Sequence, residues 1–300
     1  MNISKQNAVI TYITLIFIWA STPLAIVWSV DTIAPMWAMV LRFFLALPLA
    51  LVLVWLMKIP LPFTRQTCLS YLAGSMSLIV SQTFTYLATA HISSSIIALV
   101  FGMAPVITGL IGAIWFSVRL RALQWLGMCV ALAGLSSMCL LAQESMHFNV
   151  IGIFLVLTSV TIYCFSMYFV KQINAPVTPF AQASGSIIFS TIIAIGFIPF
   201  IWEQMPTVMP SLKSISALLY TAVVASIVAM FCYFKLIQNI SATTLSLTTV
   251  MTPIIALILG AVLNQEYLSM QVYFGIIVIF MGLLLYFYHD IQRMLRERIR

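Results

Sequence analysis

Arg42 is the formal charge set well inside an apolar run, seven residues after Pro35 and so roughly 10 Å deep at the rise of a helical residue. Charge at that depth is costly and marks a functional group by default. It suits a solute carboxylate, helix carbonyls, or an outer acid such as Glu266 or Asp31; snorkelling to the interface is the alternative. Trp19, Tyr86, Tyr163 and Tyr233 supply aromatic faces with polar handles, the chemistry of a wall that orients a small organic solute. Ser75, Gln82, Thr85, Tyr86 and Thr89 form one polar stripe, and Ser159, Tyr163 and Ser166 form another. Such groups must face a bundle interior or a wet cavity, as interhelical hydrogen bonds or as a pocket lining. Pro105 and Pro253 leave the carbonyls of Phe101 and Thr249 without helical donors, and Pro23 does the same to Trp19. The candidate binding set is therefore Trp19, Arg42, Gln82, Tyr86, Phe101, Tyr163, Tyr233 and Thr249, with Pro23, Pro105 and Pro253 as hinges or packing kinks.

No catalytic or metal-ligating constellation accompanies these residues, and no cofactor is implied. Cys68, Cys129, Cys139, Cys164 and Cys232 are odd in number, lie within apolar runs, lack paired spacing and read as small packing residues. The six acids lie in loops, at the ends of apolar runs or in the C-terminal tail, so no carboxylate is placed to bind a proton or cation at mid-depth. His91 and His289 sit near run ends and read as interfacial.

The elements that position the binding set follow from composition. With 63% hydrophobic and 6% charged residues, the chain belongs in lipid. Apolar runs long enough for about 30 Å of hydrocarbon fall near 8–28, 35–57, 68–90, 93–116, 123–142, 149–170, 178–201, 212–234, 241–263 and 271–289. An all-α integral membrane protein with ten spans is expected. The first run is longer than the apolar stretch of a signal peptide and is read as a retained helix. An inside N-terminus puts Lys5, Lys58, Arg65, Arg119, Arg121, Lys171, Lys235, Arg293, Arg296, Arg298 and Arg300 on the inner side, eleven of the 13 basic residues, so both termini are expected in the cytoplasm. The net charge of +7 is spread over short inner segments, which argues for topology and against a nucleic-acid partner. The tail 290–300 carries Ile291, Met294, Leu295 and Ile299 at helical spacing among arginines, as a solvated end or a helix on the anionic leaflet.

Residues 92–135 align without a gap onto 240–283 at an offset of 148, with Ser93/Ser241, Met103/Met251, Pro105/Pro253, Gly127/Gly275 and Gly134/Gly282 among the identities. Earlier runs repeat more faintly: Pro35/Pro179 and Trp19/Tyr163 at 144, and Tyr86/Tyr233 at 147. Five spans per half make the halves antiparallel, and two such halves can open one junctional site alternately to either face. Gly127 with Gly134, and Gly275 with Gly282, lie seven apart on one helical face and predict close helix packing in spans five and ten, with a dimer interface as one use and no substrate there.

Tyr86–Leu135 and its echo Tyr233–Leu284, together with Trp19, Leu41-Arg42-Phe43 and the proline and glycine pairs, resemble the paired EamA domains of the drug/metabolite transporter superfamily over nearly the whole chain. The resemblance implies ten helices and alternating access, commonly for export of amino acids or other small metabolites. Its pattern places a glutamate after spans four and nine; Glu266 fills the second place and Val118 stands in the first. The expected organisation is a first five-helix repeat at 1–142, a second, inverted repeat at 149–289 and the basic tail. The expected activity is that of a bacterial-type inner-membrane secondary carrier for a neutral, zwitterionic or anionic solute, not an enzyme. Its partners would be the small-molecule substrate and the bilayer, as a monomer or homodimer. An enzyme acting on a lipid-linked substrate and an organic-cation or drug efflux carrier are the alternatives.

Overall fold

The computed structural model describes residues 5–117, 119–141, 149–237 and 248–299, and among them every regular element is helical. The elements are α1 (Lys5–Ser29), α2 (Pro35–Leu56), α3 (Arg65–Ser75), α4 (Ser81–Ala88), α5 (Ser94–Phe101), α6 (Ala104–Trp115), α7 (Ala122–Leu141), α8 (Val150–Ile173), α9 (Pro179–Ile201), α10 (Leu212–Tyr220), α11 (Ala229–Ile237), α12 (Thr248–Leu263) and α13 (Met270–Ile299). π-helical turns, Met76–Val80 and Thr221–Val228, join α3 to α4 and α10 to α11 into continuous rods. Helix starts follow local chemistry. Pro35 and Pro179 open α2 and α9 in the first turn, where a missing N–H costs nothing. Thr64, Asn149, Thr178 and Ser211 cap their helices through side-chain oxygens.

Among the described residues, seven helical stretches are long and apolar enough to cross a membrane: Val9–Ser29, Pro35–Leu56, Ser94–Trp115, Val150–Ile173, Pro179–Gln204, Leu212–Tyr233 and Met270–His289. Ala122–Met138 and Met251–Leu263 are shorter apolar helices. The α3–α4 rod falls outside this set because it carries a polar stripe, and Ser70, Ser75, Ser77, Ser81 and Thr85 are buried within the bundle. Large apolar side chains such as Trp55 and Phe200, 76% and 85% exposed, coat the outside, as a lipid-facing surface requires. The tail differs from a separate surface segment. With no proline or glycine after Gly282 to stop it, α13 continues without a break to Ile299.

α1 packs on α5, α10, α11 and α12; α8 packs on α3, α4, α5 and α6; α2 lies along α9 and α5 along α12. α7 lies along α13, with Gly127 against Gly282 and Gly134 against Gly275. Those two pairs run in opposite chain directions, so the helices are antiparallel. A Cβ built on Gly127 would lie 2.6 Å from the Gly282 carbonyl oxygen, and one on Gly134 3.0 Å from that of Gly275. The glycine faces are thus occupied by one another within the chain.

The prolines act differently from one another. At Pro105 the helix breaks between Phe101 and Ala104, whereas Pro23 and Pro253 lie inside continuous helices. Gly102 precedes Pro105 closely where the second copy has Val250, and glycine lowers the cost of interrupting a helix.

Candidate functional site: a cavity at the junction of the halves

A cavity of about 160 Å³ lies where α1, α2, the α3–α4 rod, α5–α6, α8, the α10–α11 rod and α12 converge. Its walls are Trp19, Thr22, Pro23, Ile26, Arg42, Ser77, Leu78, Gln82, Thr85, Ile97, Ala98, Phe101, Gly102, Ala104, Tyr163, Met167, Ala225, Met230, Tyr233 and Thr252. α7, α9 and α13 contribute none of them. Six pairs of lining residues are repeat mates: Trp19/Tyr163 and Pro23/Met167 at an offset of 144, and Ser77/Ala225, Gln82/Met230, Thr85/Tyr233 and Ala104/Thr252 at 148. Equivalent positions of the two halves therefore enclose one space.

Of the candidate binding residues, Trp19, Arg42, Gln82, Phe101, Tyr163 and Tyr233 line this cavity, together with Pro23. Tyr86 does not. It is fully buried in the packing between α2 and α9, and its hydroxyl has no hydrogen-bond partner among the described residues. The place is taken by Thr85, because the copies register at 148 here and not at 147; the matched dipeptides Ile79-Val80 and Ile227-Val228 carry that register in the sequence. The side chain of Thr249 lies outside the described residues, and the neighbouring lining residue on α12 is Thr252. Pro105 and Pro253 flank the lining residues Ala104 and Thr252 without lining the cavity themselves.

Arg42 is 3% exposed. Its Nε donates to Ser226 Oγ at 2.9 Å and its Nη1 to Gln82 Oε1 at 3.3 Å. Ser226 Oγ in turn donates to the Thr221 carbonyl at 2.9 Å, inside the π-helical segment. The π turn widens the helix locally and brings Ser226 to α2, a placement typical of functional positions. Neither outer acid reaches Arg42: Asp31 lies 3.9 Å from Lys213, and Glu266 is held elsewhere. No carboxylate partners Arg42 among the described residues. Aromatic rings also line the cavity, with Trp19 and Tyr233 at 5.5 Å between ring centroids and Phe101 edge-on to Tyr163 at 6.5 Å. The polar stripes largely satisfy each other: Thr85 and Ser81 share hydrogen bonds with Ser159, and Ser166 Oγ donates to the Ala73 carbonyl.

Glu266, between α12 and α13, caps the start of α5. Oε1 accepts from Ser94 N and Oγ at 3.1 and 2.6 Å, and Oε2 from Ser95 N and Oγ. Asn264 donates to Oε1 at 2.9 Å and accepts from Trp28 Nε1 at 2.8 Å, which ties α1, α5 and α12 at one end of the bundle. Gln265 turns the chain with φ 50°, and its mate Ser117 does so with φ 53°, so the turn is common to both copies. Val118, which replaces the glutamate, lies outside the described residues. Burial acts to raise the Glu266 pKa, but hydrogen bonds from Ser94, Ser95 and Asn264 together hold it below its usual 4.5. The cap's contribution is therefore complete above pH 4.5 and is lost as pH falls through the lower folded-state value. Glu266→Gln should cost about 1.5–3 kcal/mol at neutral pH, since charge-assisted bonds are lost, and should abolish that acid-side loss. Thermal unfolding in detergent across pH checks both.

The family model for the EamA-like transporter family matches the chain twice, at residues 6–140 and 150–288. The chain belongs to the EamA-like transporter family. It is similar to "Uncharacterized inner membrane transporter YedA" of Escherichia coli K12, 28% identical over 256 residues covering 85% of this chain and 82% of that one. "Protein PagO" of Salmonella typhimurium is 24% identical over 84% of this chain and 83% of its own, and an "Uncharacterized transporter" of Archaeoglobus fulgidus 21% over 88% and 93%. A solved crystal structure superposes with a TM-score of 0.65 at 17% identity, covering 94% of this chain and 96% of that one, and shares the fold. The family and the names of these relatives point to a membrane transporter.

Proposed function

We propose that this EamA-like protein is a ten-helix secondary carrier of the inner membrane, with both termini cytoplasmic, that exports a small metabolite by alternating access at the central cavity. The observation that carries this reading is the repeat-paired lining. A cavity bounded by equivalent residues of two related halves sits at their pseudo-symmetry axis, where exchanging the conformations of the halves exchanges the side to which it opens. Further support comes from the antiparallel packing of α7 on α13, helices that are sequence mates, and from packing relations that persist when α1 is exchanged for α8 and the α3–α4 rod for the α10–α11 rod. The ten spans are the seven long apolar stretches, the two shorter ones and the polar α3–α4 rod; the halves are 1–142 and 149–289, followed by the basic tail. The inner-membrane assignment draws on the name of the Escherichia coli relative.

Proteoliposomes holding the purified protein should show saturable flux of some member of a broad metabolite panel; absence of protein-dependent flux throughout would refute the carrier reading. Trp19→Ala and Tyr233→Ala should each raise the KM for that flux roughly tenfold, the scale of about 1.4 kcal/mol of lost aromatic contact. Trp55→Ala, on the lipid-facing surface, should leave it unchanged.

A further inference from the structure

We infer that the solute is an organic monoanion with an apolar body, seated on Arg42, and that it crosses as an electrogenic uniport with no proton partner. The inference rests on the carrier reading and names the chemistry of the same cavity.

The repeat-paired lining is not symmetric in its chemistry. The first half contributes Arg42, Ser77, Gln82 and Thr85; at the last three of these positions the second half has Ala225, Met230 and Tyr233, and Ser186, the mate of Arg42, is outside the lining. Arg42, bonded to Ser226 and Gln82, therefore gives the cavity one fixed positive charge beside hydroxyl and amide groups, while Trp19, Phe101, Tyr163 and Tyr233, drawn from both halves, give it aromatic surface. That is a head-and-body arrangement. The guanidinium uses Nε on Ser226 and one Nη1 donor on Gln82, and Nη2 has no hydrogen-bond partner among the described residues. Donors on Nη1 and Nη2 thus remain for the two-point geometry that a carboxylate accepts. A buried guanidinium without an acid is costly, and a bound anion neutralises it.

The charge count fixes the rest. Among the described residues the lining holds Arg42 and no Asp, Glu, His or Lys; its other titratable groups are Tyr163 and Tyr233. One cation matches one anionic group, and nothing in the lining presents a carboxylate to an ammonium or takes up a proton in the neutral range. Arg42 remains with the protein, so each complete cycle moves only the charge of the solute. An inside-negative membrane then drives an anion outward, by about fiftyfold in concentration ratio for ~100 mV, the equivalent of ~2.3 kcal/mol per charge.

Phenylacetate, phenylalanine and phenethylamine share a ring and differ in head group. For the protein purified in detergent, phenylacetate should bind at least tenfold more tightly than phenylalanine, and phenethylamine should not bind. Arg42→Gln should lose that binding, and Arg42→Lys should keep the preference at lower affinity, with unchanged size-exclusion profiles showing that both variants fold. In proteoliposomes at pH 8, corrected for protein-free vesicles, a valinomycin-imposed inside-negative potential should accelerate phenylacetate efflux. A pH gradient clamped at zero potential should not. Preference for phenylalanine or phenethylamine, anion binding that survives Arg42→Gln, pH-driven flux, or no binding of any of the three would overturn the anion assignment while leaving a carrier. Arg42-dependent phenylacetate binding without flux would overturn the carrier reading on which the uniport stands.

Discussion

Arg42→Gln is expected to cut flux about thirtyfold or more, while the unliganded protein unfolds at the same temperature as the parent or above it. The two effects separate because of what surrounds the guanidinium. Ser226 Oγ keeps its bond to the Thr221 carbonyl when Arg42 is gone, and Gln82 borders a cavity of about 160 Å³, so neither is left stranded in a dry core. The parent meanwhile carries a desolvated cation without an acid among the described residues, a cost that glutamine removes. Binding moves the other way. Truncating one partner of a buried charged contact costs about 2–5 kcal/mol, and the lower figure already corresponds to about thirtyfold. Stability gained with activity lost is the signature of a strained functional group. A residue that merely packs would lose both. Thermal unfolding and vesicle flux on the same preparations check the pair, and a marked fall in unfolding temperature would assign Arg42 to structure.

The helices were legible because lipid imposes a simple code of apolar length, and prolines or capping oxygens open α2, α3, α8, α9 and α10. Arg42 was legible for the same reason, since a charge in an apolar run stands out. The fine geometry was not. A π turn has no hydropathy signature, so nothing in the run Thr221–Val228 announced that Ser226 would reach Arg42. Aromatic type misled at Tyr86, where a one-residue difference in register turns the side chain from the cavity into the packing of α2 and α9, a rotation of about 100° on a helix. Glu266 was visible as a residue, and its partners were not, because Ser94 and Ser95 lie 172 and 171 positions away. Pairings of that separation are set by the closing of one half on the other, and local sequence does not encode them.

The glycine faces give the largest effect on folding. Gly127→Leu is expected to destabilise the protein by about 3 kcal/mol or more, beyond the usual 1–3 kcal/mol of overpacking, because the obstacle is backbone. Even the first added carbon would sit 2.6 Å from the Gly282 carbonyl oxygen and 2.5 Å from the Tyr286 amide nitrogen, and no rotamer change moves either. The helices must separate, which opens the contact along the rest of the seam, where Gly134 meets Gly275 and Ile279. Gly196 provides the control: its built Cβ meets nothing within 4 Å, so Gly196→Leu should leave unfolding unchanged apart from a small gain in helix propensity. The cavity takes none of its lining from α7 or α13, so a milder Gly134→Ala should lower the unfolding temperature and leave the KM of the folded fraction intact. Unfolding curves for the three variants, with flux kinetics on the last, test whether the seam holds the halves together independently of the site between them. A KM that moved with Gly134→Ala would show that the spacing of α7 and α13 sets the shape of the cavity, and the division between a packing edge and a central pathway would fail.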